Sequence, residues 1–150
     1  MNQTLDLFLE RLAARNRLYW PSVQDNLRRN EPLFRDVGGR LVGWAAAHLG
    51  DRYADVLVEG YGLFVTDVNR SQMAYERRGA YEAKSYAEVY ASVYGAAEAM
   101  STYHWGVYVT TFAWEHHLRL CRYFADELED YEYPADAVEA ALDGLPSIAS

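Results

Sequence analysis

Leu5, Phe8, Leu9 and Leu12 recur three and four residues apart near the start of the chain, the spacing that lines one face of an α-helix. Thr4 stands where a cap belongs, and basic residues gather toward the end of this segment, as the helix dipole favours. Trp20-Pro21-Ser22 interrupts the pattern, and Ser22 is placed to cap a second, short helix ending near Arg29. Asn30-Glu31-Pro32 restarts the chain with Pro32 in a first turn. Gly38-Gly39 reads as a separator before a helix over Arg40 to Leu49, which Gly50 ends and Asp51 follows as the next cap.

From Asp51 to about Arg78 the period stays helical. Within it LVEGYGLFVTDV combines Gly60, Gly62 and a β-branched run that suit a strand equally well, and helix is expected because no partner strand is evident. After Arg78-Gly79, the segment AYEAKSYAEVYASVYG places Tyr86, Val89, Tyr90, Val93 and Tyr94 along one side of a helix that Gly95 ends. A long helix follows over roughly 97 to 129. Beyond Tyr133-Pro134, ADAVEAALD is expected to form a short surface helix and LPSIAS to fray. The expected architecture is all-α, a helical bundle of five to seven helices with a long central C-terminal helix. Residues 1–130 make the bundle, and 131–150 an acidic C-terminal segment.

Charge sharpens that division. Residues 126 to 143 hold eight acids and no base, and without them the chain carries fourteen acids and fourteen bases. The rest of the chain is therefore neutral and residues 126–143 carry the net charge of −8. A nucleic-acid surface needs a basic patch, so nucleic acid is not an expected partner. The lone Cys121 allows neither an internal disulfide nor a thiolate metal cluster. MNQTLDLFLERLAARN lacks the basic start and unbroken apolar run of a signal peptide, and no segment approaches the roughly 20 apolar residues of a membrane span. A cytoplasmic location away from membranes is expected.

The candidate chemistry lies in TYHWGVYVTTFAWEHHLRLCRYF, residues 102–124. At about 100° per residue, His104, Tyr108, Thr111, Glu115 and Arg122 share one narrow stripe of a helix that is otherwise apolar nearly all round. Such a stripe either reaches solvent or lines a cavity. In a cavity, His104 would act as acid or base, with Tyr108 or Glu115 orienting it. Thr111, Trp105, Trp114 and the phenols of Tyr86 and Tyr90 would contact a flat ligand. The structural alternatives are a satisfied His104, a Glu115–Arg119 ion pair four residues apart, a core role for the tyrosines and a buried, neutral His116. Two metal ligands on one helix need a spacing of three or four residues. His104 and Glu115 are eleven apart, so neither a metal nor another cofactor is expected.

Two passages, RRGAYEAKSYAEVYASVYG at 77–95 and MSTYHWGVYVTTFAWEHHLRLCRYFADEL at 100–128, resemble the helical region that precedes the catalytic core of some bacterial class I S-adenosylmethionine-dependent methyltransferases. The resemblance rests on Arg78-Gly79, Tyr81-Glu82, the tyrosine ladder, Met100, Tyr103 and the aromatic-His-His segment. It implies helices that cover an active site and shape substrate binding. After Phe124-Ala125-Asp126-Glu127-Leu128 that family continues into a strand and a glycine-rich turn that hold the cofactor. This sequence continues instead as EDYEYPADAVEAALDGLPSIAS. Methyl transfer by this chain alone is therefore not implied.

Together these readings lead to a helical small-molecule-binding or accessory protein related to a methyltransferase lid, acting as a homodimer or beside a separate catalytic chain. The alternative is a small cofactor-free enzyme, an isomerase, cyclase or hydratase of secondary metabolism, working through a His104/Glu115/Tyr108 pocket.

Overall fold

A computed structural model describes residues 3–80, 85–90 and 97–129. The chain is an all-α bundle, with no strand among the described residues. The helices are α1 (Gln3–Arg15), α2 (Trp20–Arg29), α3 (Glu31–Leu49), α4 (Tyr53–Arg78), the single turn α5 (Tyr86–Val89), α6 (Ala97–Ala113) and α7 (Glu115–Glu129). A 3₁₀ turn over Gly50–Arg52 joins α3 to α4. No helix is long and apolar enough to cross a membrane among the described residues.

The core is built as the periodicity requires. Leu5, Phe8, Leu9 and Leu12 are all buried on one face of α1, where they meet Phe34, Val42, Leu57, Val109 and Phe112. The ring of Phe112 joins three helices at once, edge-on to Phe8 at 5.9 Å and to Phe34 at 5.4 Å. Such edge-to-face pairs add roughly 0.5–1.5 kcal/mol each beyond the area they bury.

Helix punctuation departs from expectation at several places. Gly38-Gly39 does not separate elements, because α3 runs through both. A methyl group on Gly38 would stand 3.0 Å from the Phe112 ring. The glycine is retained in mid-helix, at a cost of about 1 kcal/mol of helix propensity, because that ring lies on its backbone. None of the three expected caps acts as one. Thr4 lies within α1, Ser22 lies inside the first turn of α2 behind Tyr19 and Pro21, and Asp51 falls in the 3₁₀ turn, with Arg52 before α4. The stops at Gly50 and Gly79 are as read, with positive φ of 59° and 70°. The Gly79 N–H donates to the Tyr75 carbonyl at 2.7 Å, closing the end of α4.

LVEGYGLFVTDV is helix, and its glycines are sites of close approach. Gly60 faces Thr102 and Gly106 of α6, so that α4 and α6 cross backbone against backbone. Gly62 makes room for Asn16, whose Nδ2 donates to the Val58 carbonyl at 3.0 Å. Arg11 and Arg15 both reach Asp55, binding α1 to α4. Of the expected tyrosine helix, 85–90 are described. Ser85 caps α5 in a reciprocal pair with Glu88. Tyr81, Val93 and Tyr94, like the acidic segment after Glu129, lie outside the described residues.

Three tyrosines seal the bundle, Tyr61 and Tyr53 buried and Tyr108 half-buried. Burial raises the phenol pKa of each. Above pH of about 10 the unfolded chain sheds phenol protons that the folded chain keeps. Stability is thus fully present below that pH and is lost as pH rises toward the elevated folded values. The urea midpoint should fall between about pH 8.5 and about pH 10.5, with part of the phenolate absorbance appearing only on unfolding. A constant midpoint, with all tyrosines titrating in the folded state, would contradict this.

Candidate functional site

The stretch expected as one central helix is two. It bends at Trp114, between α6 and α7, and the cause is non-local. Asn26, only 2 % exposed, reaches from α2 and donates through Nδ2 to the carbonyls of Phe112 at 3.0 Å and Ala113 at 3.1 Å. Its own Oδ1 accepts from Asn30 at 2.9 Å. The Thr110 carbonyl lies 3.1 Å from His117 Nδ1; a carbonyl only accepts, so Nδ1 carries the proton. Thr110 Oγ1 donates back to the Val107 carbonyl at 2.7 Å, a bond that bends helices. Side chains inserted into the backbone ladder are a recognised origin of a kink.

The bend divides the polar stripe, and its members serve different neighbours. Tyr108 donates to the Leu41 carbonyl of α3 at 2.8 Å and packs edge-on against Trp105 at 5.3 Å. Glu115 holds Arg119 at 2.8 Å, as its spacing implies, and Arg29 of α2 at 3.0 Å. Thr111 is half-buried, while His104 is exposed with its ring near that of Tyr103. No hydrogen bond or ion pair among the described residues joins His104 to Tyr108 or Glu115. Trp114 lies against Phe64 and the rings of His116 and His117. His116 is exposed, contrary to the core position expected of it; the satisfied histidine is His117. Tyr86 and Tyr90 stack on each other at 5.9 Å and are 79 % and 52 % exposed. Among the described residues no three His, Cys, Asp or Glu side chains gather as a metal site.

The concave surface lies elsewhere, around α4. One cleft of about 680 Å³ is walled by Leu18 and Tyr19 of the α1–α2 corner and by Thr66, Asn69, Arg70, Gln72, Met73, Ala74, Glu76 and Arg77 of α4. A second, of about 350 Å³, lies across Leu63, Phe64, Thr66, Asp67 and Arg70 against Thr102 and Tyr103 of α6. The two share Thr66 and Arg70 and so form one bent groove. Phe64 and Tyr103 meet edge-on at 5.1 Å in its wall. Tyr19 and Thr66 fix its floor at 3.0 Å. The Thr66 hydroxyl gives its proton to the Gly62 carbonyl at 2.7 Å, so Tyr19 is the donor between them. Arg70 forms no ion pair among the described residues, and Leu18 and Met73 are 80 % and 51 % exposed.

Sequence reasoning missed this groove. Its trace is the series 66, 69, 70, 73, 74 and 77, one helix face carrying mixed rather than uniformly polar side chains. The wall supplied by Leu18 and Tyr19 comes from about fifty residues upstream and has no local mark. No family model, no curated protein and no solved structure matches the chain.

Proposed function

We propose that this chain is a helical small-molecule-binding protein that takes an elongated apolar molecule with an anionic head in the groove around Thr66 and Arg70. The observation that carries this reading is the junction of two clefts at Arg70, whose guanidinium forms no ion pair among the described residues. Aromatic and thioether walls suit the apolar body, and the guanidinium fork suits a carboxylate, sulfonate or phosphate. Each cleft, of about 680 and about 350 Å³, falls within the range of ordinary ligand sites.

Binding is favoured over turnover because Tyr108 and Glu115, the groups expected to orient His104, are already engaged elsewhere. The Tyr108 proton is given to Leu41 and burial holds it on the phenol; the Glu115 carboxylate is shared by two arginines. The substrate-shaping role implied by the resemblance to methyltransferase lids finds a place on α4 in this reading, with a separate chain supplying any chemistry.

Dodecanoate is a suitable probe, with an extended chain and one carboxylate. Calorimetric titration should show saturable binding, weakened about tenfold by Arg70→Ala and at least as much by Met73→Glu, which places charge on the apolar wall. His104→Ala and Glu115→Gln should leave the affinity unchanged. Absence of saturable binding, or indifference to both groove substitutions in variants of unchanged helicity, would refute the proposal.

A further inference from the structure

The floor of the groove is a hydrogen-bond chain with a fixed direction. The Thr66 hydroxyl donates its single proton to the Gly62 carbonyl at 2.7 Å, and the Tyr19 phenol donates its own to Thr66 at 3.0 Å. Both protons are thereby turned inward. What the two oxygens keep is lone pairs, because these are the only hydrogen bonds they make among the described residues. Both residues line the first cleft, and Thr66 lines the second as well. The floor therefore offers acceptors and no donor where the clefts join. Asp67, which lines the second cleft, adds a carboxylate that also accepts.

Donors stand one turn further along α4. Arg70 follows Thr66 by four residues, about 6 Å of helix rise on the same face, and its guanidinium only donates. A ligand lying across this turn meets donors at one end and acceptors at the other. A plain fatty acid satisfies only the first of these. Its methylenes would strip water from the floor oxygens without replacing the lost bond, which lowers affinity.

We infer that the ligand is a 3-hydroxy acid with a long apolar chain, its carboxylate on the Arg70 guanidinium and its hydroxyl donating to the floor oxygens of Thr66 and Tyr19. The inference rests on the groove reading above and narrows its ligand class. The hydroxyl must lie near the head, because a single turn separates Thr66 from Arg70 and a hydrogen bond of roughly 2.8 Å at each end takes up part of it. A neutral hydroxyl is favoured over an ammonium because Arg70 and Arg77 already set positive charge on the first cleft.

Calorimetric titration of the full chain with four acids tests this. 3-Hydroxydodecanoate should bind about fivefold more tightly than dodecanoate, the worth of one neutral hydrogen bond. 3-Oxododecanoate sets an acceptor against acceptors and should bind no more tightly than dodecanoate. 12-Hydroxydodecanoate, whose hydroxyl is remote from the head, should show no gain. Thr66→Val removes the acceptor that holds the Tyr19 proton, leaving the phenol able to donate to a ligand. The affinity ratio of hydroxy to oxo acid should then fall toward one at unchanged helicity, a ratio that a general loss of binding does not move. Equal affinity for dodecanoate and the 3-hydroxy acid in the parent chain, or a 3-oxo acid that binds as tightly as the 3-hydroxy acid, would overturn the hydroxyl assignment and leave the groove reading standing. No saturable binding by any of the four would sink both.

Discussion

Gly106→Ala is expected to lower the thermal midpoint of the chain by about 10 °C, through a loss on the order of 3 kcal/mol. The added methyl would lie 2.5 Å from Phe64 Cβ and nearer still to the Gly60 carbonyl oxygen. Neither neighbour can yield as a flexible side-chain end does, since one is backbone and the other is fixed to it. Gly60→Ala meets the same crossing from the other side, 2.7 Å from the Thr102 carbonyl oxygen. Either substitution must force α4 and α6 apart and unpack Phe64. Gly43→Ala is the internal control: it lies within α3 with nothing inside 4 Å of the added atom. Relief of glycine's entropic cost should raise stability there by about 0.5–1 kcal/mol. Thermal denaturation followed by circular dichroism checks both signs. A Gly106→Ala midpoint within about 2 °C of the parent would mean that the two backbones do not cross at contact distance.

A comparable loss is expected from Asn26→Leu, which keeps the approximate shape but removes the two donors at the helix bend. The carbonyls of Phe112 and Ala113 would then be left buried without Asn26. At about 1–3 kcal/mol for each orphaned group, the loss should again be about 3 kcal/mol, visible in the urea midpoint. Asn26→Asp provides a test with a pH signature. At neutral pH it points a carboxylate at two acceptors, so the folded state favours the protonated acid and raises its pKa. The stability of that variant should be greatest below the ordinary carboxylate pKa of about 4 and be lost as pH rises through the elevated folded value. If Asn26→Leu were as stable as the parent, the bend at Trp114 would not depend on this asparagine.

These two sites also show what could be read from the sequence and what could not. The period of Leu5, Phe8, Leu9 and Leu12 is local, and it suffices for α1 because a helix face is defined by residues within three turns. Gly50 and Gly79 are legible for the same reason: a left-handed residue at a helix end is a backbone requirement of that residue alone. Gly38 and Gly60 carry the same residue type with another purpose, one accommodating Phe112 and the other the α6 backbone. Their role depends on atoms about forty or more residues away. The polar stripe from His104 to Arg122 assumed an unbroken helix. It is interrupted by a side chain 86 residues upstream of the carbonyl that it binds, which no periodicity within the helix can reveal. Glu115–Arg119 survived because both partners lie on α7. The groove was missed because the walls facing α4, Leu18 and Tyr19 on one side and Thr102 and Tyr103 on the other, are remote from it in sequence.

The chemistry of the chain follows from that redistribution of roles. Tyr108 and Glu115, which looked available on the central helix, tie it to α3 and α2, and the exposed concave surface falls on the outer half of α4. Nuclear magnetic resonance of the ¹⁵N-labelled chain titrated with dodecanoate tests this most directly, because it reports where binding occurs as well as whether it does. The account predicts saturable shifts centred on the amides of Tyr19, Thr66, Arg70, Met73 and Tyr103. Shifts centred instead on His104, Tyr108, Thr111 and Glu115 would place the site on the stripe of α6 and α7 and contradict it.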